Sequence, residues 1–385
     1  MEHKKLGDIA TYVNGYAFKP EDRGTEGLPI IRIQDLTGNS YDLGFYNGRY
    51  PEKVEINDGD ILISWSASLG VYVWNRGKAL LNQHIFKVVF DKIEVDKRYF
   101  VFAIKYNLKE MEKKTHGATM KHIVKKDFDN TLVPFPNLRK QAEIADILSN
   151  IENIITHRQK QLEKFDELIK ARFVEMFGEP ISNPMGWEIK KLSELSELIT
   201  NGNTPKGGSE NYVDSGILFL RSQNVWRNRI DLDDVAYIDD ETHKKMKKSS
   251  VHYNDILITK TGRINTENSS LGRAALFQGD DNSANINGHV YLVRLKNIVS
   301  PKFVVTILTG EAYRKYIRKV CVGGIDKRQI NLDQVEDFPI IMPPLELQNQ
   351  FADFVKQVDK SKVAVQKELE KAQMLFDSLM QKYFG

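Results

Sequence analysis

GATMKHI (Gly117–Ile123) opens a stretch that continues through PFPNLRKQAEIADIL (Pro134–Leu148) to EMFG (Glu175–Gly178). It returns as GIDKRQI (Gly324–Ile330), IMPPLELQNQFADFV (Ile341–Val355) and KYFG (Lys382–Gly385). Ile123 matches Ile330, Pro136 matches Pro343, Gln141 matches Gln348, Asp146 matches Asp353 and Phe177 matches Phe384, each 207 positions on. A gap-free internal repeat decides the architecture, and two copies point to a two-fold object rather than a solenoid.

Upstream the repeat continues with a drifting offset. Leu6-Gly-Asp-Ile-Ala resembles Leu192-Ser-Glu-Leu-Ser, Ile31-Arg-Ile-Gln-Asp-Leu36 resembles Leu220-Arg-Ser-Gln-Asn-Val225, and Gly59-Asp-Ile-Leu-Ile-Ser64 resembles Asn254-Asp-Ile-Leu-Ile-Thr259. Ten of the 21 added residues enter between Ile61 and His84, where the second copy carries Thr259-Lys-Thr-Gly-Arg-Ile-Asn-Thr-Glu-Asn-Ser-Ser-Leu-Gly-Arg273. A polar loop varying on a common frame changes what a domain binds without changing how it folds.

Short apolar runs bounded by Gly, Asn and Asp predict strands at Leu28–Ile33, Asp60–Ser64 and Ile85–Phe90, and at Ile217–Leu220, Asp255–Thr259 and Val290–Leu295. Helices are predicted at Tyr99–Lys114 and Pro301–Val320.

Each copy then enters a heptad seam. Ile144, Leu148, Ile151, Ile155, Arg158, Leu162, Phe165, Ile169, Arg172 and Met176 alternate steps of four and three, and Phe351, Val355, Val358, Lys362, Val365, Leu369, Ala372, Phe376, Leu379 and Tyr383 repeat the pattern. Such a seam favours a left-handed coiled coil. A two-fold copy of a helix leading out of one domain must lead back, so the pair is predicted to be antiparallel. About 37 residues at ~1.5 Å rise give roughly 55 Å, the length of about 16 base pairs of duplex. Two domains held at a fixed distance about a dyad match the dyad of DNA.

Composition sets weaker bounds. With 385 residues, 41% hydrophobic, 28% charged and net charge +3, the chain reads as an ordinary folded protein whose charge does not by itself argue for nucleic acid. Cys321 is the only cysteine, which excludes internal disulfides, and no apolar run approaches a membrane span or a signal-peptide core. The expected location is the cytoplasm.

The openings Val13-Asn-Gly-Tyr-Ala-Phe18 and Ile199-Thr-Asn-Gly-Asn-Thr-Pro205, the strings Gly-Asp-Ile-Leu and Asn-Asp-Ile-Leu before a loop, and Pro-x-Leu-x-x-Gln heading each seam together resemble the specificity subunit of type I restriction-modification enzymes. The resemblance covers the whole chain. It implies an α/β (α+β) fold of two globular target recognition domains joined by two long antiparallel coiled-coil helices. The domains would be 1–136 and 179–343, with a central helix at 137–178 and a C-terminal one at 344–385. It implies that each domain reads one half of a bipartite double-stranded DNA target, and that the helices set the gap and dock two methylase subunits. S-adenosylmethionine would sit on those partners, and ATP and Mg on two restriction/translocase subunits where the system cleaves. No cofactor or metal would belong to this chain. With no helical segment ahead of the first domain, ring closure would fall to the C-terminal helix.

The residues agree that the chain is not a catalyst. There is no phosphate loop, Arg76-Gly-Lys-Ala79 being the nearest string, and no Asn/Asp-Pro-Pro-aromatic motif of an amino methylase. Glu188-Ile-Lys190 has a nuclease-like form without a placed acidic partner. His84 and His289 are read as structural.

For DNA contact, Lys113, Lys114, Lys121 and His122 flank one glycine turn, and Lys327 and Arg328 flank its counterpart, suited to phosphates. Base reading needs Arg, Lys, Asn or Gln at groove edges. The candidates are Lys260, Arg263, Asn265 and Arg273 in the inserted loop, Ser64, Trp65 and Ser66 at the matching place in the first copy, and Gln34, Arg221 and Gln223. A third basic stretch, His243–Lys248, is also a candidate for DNA contact, with a solvated face as its plain alternative, and the plain alternative for the Gln pair is a strand cap. A rival from another class is a coiled-coil scaffold joining two protein-binding domains without DNA contact.

Overall fold

The computed structural model describes residues 2–39, 42–114, 123–266 and 268–385. It divides into two compact units, residues 1–161 with 365–385 and residues 162–364. Each contains the same pair of four-stranded sheets. In the first unit an antiparallel sheet runs Thr11–Asn14, Ile85–Val89, Ile61–Ser64, Gly70–Val73; in the second the order is Ser196–Asn201, Val290–Leu295, Ile256–Thr259, Ala274–Leu276. The partner sheets run Phe45–Tyr46, Leu28–Ile31, Ala79–Leu81, Glu55–Ile56 and Ala236–Ile238, Ile217–Leu220, Ala284–Ile286, Ser250–Val251. Each has one parallel pair at the same place, Leu28–Ile31 with Ala79–Leu81 and Ile217–Leu220 with Ala284–Ile286. The inner strands ILIS and ILIT are buried at every position, which is why they read as unbroken apolar runs.

Two predicted elements are cut short. The strand from Leu28 ends at Ile31, because Arg32 begins a short helix, Ile33–Thr37, capped by Asp35. The helix from Pro301 is two helices, Pro301–Thr309 and Glu311–Val320. Gly310 is extended (φ −64°, ψ 153°) and caps the second. Glycine is poor inside a helix and acceptable at an N-cap.

The seams lie on two uninterrupted helices, Leu138–Phe177 and Leu345–Phe384. Every seam position is buried or half-buried. In the second unit Phe173 and Phe177 pack on Phe303 and Phe351, with ring centroids 4.9–5.7 Å apart. Asp166 accepts from Lys362 Nζ at 2.7 Å and Arg172 lies over Phe354. Rising numbers on one helix meet falling numbers on the other, so the pair is antiparallel. In the first unit Tyr99 and Phe102 of helix Lys97–Lys114 meet Phe384 and Phe376.

A buried glutamine ties each long helix to its domain. Gln141 Nε2 donates to the Pro136 carbonyl (2.8 Å) and its Oε1 accepts from the amide of Asp96 (3.0 Å). Gln348 does the same with Pro343 (2.8 Å) and the amide of Ser300 (2.9 Å). Both side chains are fully buried. The Gln of Pro-x-Leu-x-x-Gln thus satisfies a backbone donor and acceptor that burial would otherwise leave unpaired.

Candidate nucleic-acid interface

In both units the first sheet ends in a hub beside a loop. In the first, the Trp65 amide donates to the His84 carbonyl (3.3 Å) and the Trp65 carbonyl accepts from Ile123 (3.0 Å). In the second, Lys260 bonds His289 (2.9 Å) and Ile330 (3.0 Å) in the same way. Tyr291 Oη fixes the second hub by donating to the Ile330 carbonyl at 2.9 Å. The residue just before each hub closes its loop. Ser64 Oγ donates to the Ser68 carbonyl at 2.5 Å, and Thr259 Oγ1 donates to the Ser270 carbonyl. Ser64 is therefore fully buried and committed to its own loop.

Side chains at the hub differ. The half-buried Trp65 indole stacks on Phe86 (centroids 5.5 Å), meets the His84 ring edge-on (5.0 Å), and donates from Nε1 to Asn14 Oδ1 at 3.4 Å. Ser66 follows, half-buried. His84 has φ +71°, and its Nδ1 is buried with no partner among the described residues; Asn82 Oδ1 is in the same condition. Neither orphan atom nor the Asn14 contact was legible in the sequence. In the second unit Lys260 Nζ lies 5.5 Å from the Tyr291 ring.

The inserted loop is folded. Thr261–Arg263 pairs with Lys327–Gln329, which pairs with Val322–Gly323, in a three-stranded antiparallel sheet. The register sets Arg263 opposite Lys327 and Gly262 opposite Arg328. This brings Lys260, Arg263, Lys327 and Arg328 together. Arg263 Nε lies 3.3 Å from Asp326, and Arg328 Nε donates to the Gly324 carbonyl (3.0 Å), stiffening its glycine turn. Lys327 and Asn265 are exposed. Arg273 is not: it is 8% exposed, donates to the carbonyls of Ser269 and Asn268, and lies 3.9 Å from the Trp226 ring.

The remaining candidates lie elsewhere. Lys113 is exposed and paired with Glu110 at 2.7 Å; Lys114 ends its helix. Lys121 and His122 lie outside the described residues. Gln34 is exposed on the short helix Ile33–Thr37, and Gln223 Nε2 donates to Asp234 at 2.6 Å. Neither Gln is the cap, which comes from its neighbour: Asp35 accepts from the Arg32 amide (2.8 Å), Asn224 from the Arg221 amide (2.9 Å). Arg221 turns back onto Asp234 (3.2 Å). In the basic run 243–248, the His243 ring pairs with Asn285 at 2.5 Å and Lys245 with Glu241 at 2.6 Å. Among the described residues no three His, Cys, Asp or Glu side chains gather to hold a metal, and no helix is long and apolar enough to cross a membrane.

The family description "Type I restriction modification DNA specificity domain" matches twice, over residues 1–164 and 184–372, once per unit of the repeat. The chain belongs to this family. It is a specificity subunit and non-catalytic. Among its relatives is the type I restriction enzyme EcoBI specificity subunit of Escherichia coli, 25% identical over 98% of this chain and 83% of that one. Another is the MjaVIII specificity subunit of Methanocaldococcus jannaschii, 23% identical over 86% and 79%. The solved type I restriction-modification S subunit from M. genitalium shares the fold, with TM-score 0.57 and 16% identity over 100% of this chain and 96% of its own. A chain from work on complex assembly and conformational transition of the type I system gives TM-score 0.55 at 15% identity, over 99% and 97%.

Proposed function

We propose that this specificity subunit reads a bipartite duplex DNA target, one half with residues 1–136 and the other with residues 179–343. The observation that carries the reading is the duplicated hub, the same backbone frame presenting Trp65 beside a short loop in one unit and Lys260 beside a folded cationic loop in the other. A shared frame with different side chains is what two unlike half-sites require. Helices 137–178 and 344–385 set the spacing between halves and dock two methylase subunits. S-adenosylmethionine is bound by those subunits, and ATP and Mg by restriction/translocase subunits where cleavage occurs, all in the cytoplasm.

The test is co-expression with the candidate methylase subunit followed by single-molecule sequencing of the host genome. A split adenine-methylation motif with a fixed gap is expected. A stable complex that methylates a continuous motif, or no motif at all, contradicts the reading.

A further inference from the structure

Three arginines gather at the foot of the inserted loop. Val225–Trp226 and Arg229–Ile230 form a hairpin whose two-residue turn is Arg227-Asn228. Asn228 adopts φ +56°, a left-handed conformation suited to such a turn. Its amide donates to the Ala274 carbonyl (2.9 Å), pinning the turn beside the strand that leaves the loop. Arg273 comes from the start of that strand. Its guanidinium lies 3.9 Å from the Trp226 ring centroid, and that of Arg229 lies 5.3 Å from the same ring. Arg227 and Arg229 are exposed.

The charge there is poorly balanced. Arg273 donates to two neutral carbonyls, and among the described residues the carboxylate nearest the group is Asp231, 3.8 Å from Arg229. Burial first, and then the nearby charges of Arg227 and Arg229, push the Arg273 guanidinium down from its usual range. Like charges held together cost folding energy unless an anion relieves them. Arginine forks match the oxygens of a phosphodiester, and a guanidinium stacked on Trp keeps its fork in fixed orientation.

We propose that Arg227 and Arg229, supported by Arg273 on Trp226, clamp one backbone phosphate of the DNA duplex bound by the second unit. This rests on the duplex-reading function proposed above. Arg273 ties the cluster to the loop by donating to Ser269 and Asn268, and the strand Thr261–Arg263 of the same loop pairs with Lys327–Gln329. At the 189-residue offset of this stretch Trp226 falls on Thr37 and Arg227 on Gly38, the last residue and the C-cap of a short helix, so no arginine stands in the first copy where Arg227 stands in the second.

The test compares full-length wild type, R227A/R229A and R227K/R229K on a duplex carrying the mapped motif and on a scrambled duplex, across a range of salt. Phosphate contact carries no sequence information. R227A/R229A should therefore lose roughly tenfold or more in affinity on both duplexes, and its salt slope should fall by about one per lost contact. R227K/R229K should keep most of the slope. Replacing single phosphates by uncharged methylphosphonate should reveal a position that weakens wild type and leaves R227A/R229A unchanged. Unaltered affinity and slope in R227A/R229A would overturn the clamp, as would a loss confined to the motif duplex, which would mean base reading. If wild type binds neither duplex, the duplex-reading function itself fails, a result distinct from both.

Discussion

Trp65 and Lys260 hold the same backbone position in the two units. Each donates its amide to a histidine carbonyl, His84 or His289, and accepts at its carbonyl from an isoleucine, Ile123 or Ile330. One position carries an indole packed on Phe86, the other an ammonium over Tyr291. The difference separates stability from recognition.

Trp65→Ala removes a ring stacked in the first unit's core and should cost about 2–4 kcal/mol, read as a lower urea midpoint. Lys260→Ala removes a half-exposed cation and should cost under about 1 kcal/mol while weakening DNA binding. Equal destabilisation by the two would show that the hub side chains serve folding in both units.

Gln348→Leu should strand the buried Ser300 amide and Pro343 carbonyl, and Gln141→Leu the half-buried Asp96 amide and Pro136 carbonyl. The expected loss is about 2–4 kcal/mol, visible in chemical denaturation. A loss below about 0.5 kcal/mol would show that water replaces the clamp.

Along the second unit's seam, Phe351→Ala should cost about 3–5 kcal/mol, because Phe351 is fully buried against Phe173 and Phe177. Lys362→Ala breaks a solvent-facing pair with Asp166 and should cost under about 1 kcal/mol. Thermal melts of both variants separate the contributions, and a larger loss for Lys362→Ala would contradict this packing.

Much of the fold was legible because hydrophobic period survives in one sequence. The seam positions announced themselves at steps of three and four, and all are buried or half-buried. The site was less legible, since side-chain direction depends on partners distant in sequence. Ser64 looked available beside a loop, yet its hydroxyl turns inward to Ser68. Arg273 looked like a loop cation, yet Trp226 draws it in. Gln34 and Gln223 stood out because they repeat, whereas the repeated structural role belongs to Asp35 and Asn224. Comparing the copies also hid Arg227 and Arg229, whose hairpin has no counterpart among the described residues of the first copy; the signal for it was two arginines flanking an Asn just after Trp226.

The cap of helix Asp240–Lys245 should titrate. The Thr242 amide donates to Asp239 Oδ1 (2.7 Å) and holds that carboxyl below its usual range. A depressed folded-state pKa means that the cap's contribution is complete above the unfolded value of about 3.9 and is lost as pH falls through the folded one. Wild type should lose Thr242 amide protection on acidification, while Asp239→Asn, a cap that does not titrate, should keep it. PH-independent protection in wild type would contradict the assignment.

The most direct measurement exchanges Thr259–Asn287, the segment holding the folded loop and its return strands, for that of a relative with a different target, then remaps adenine methylation. The expected result is a motif altered in one half, with the other half and the gap unchanged. Alteration of both halves, or of the gap alone, would contradict recognition divided between two independent units.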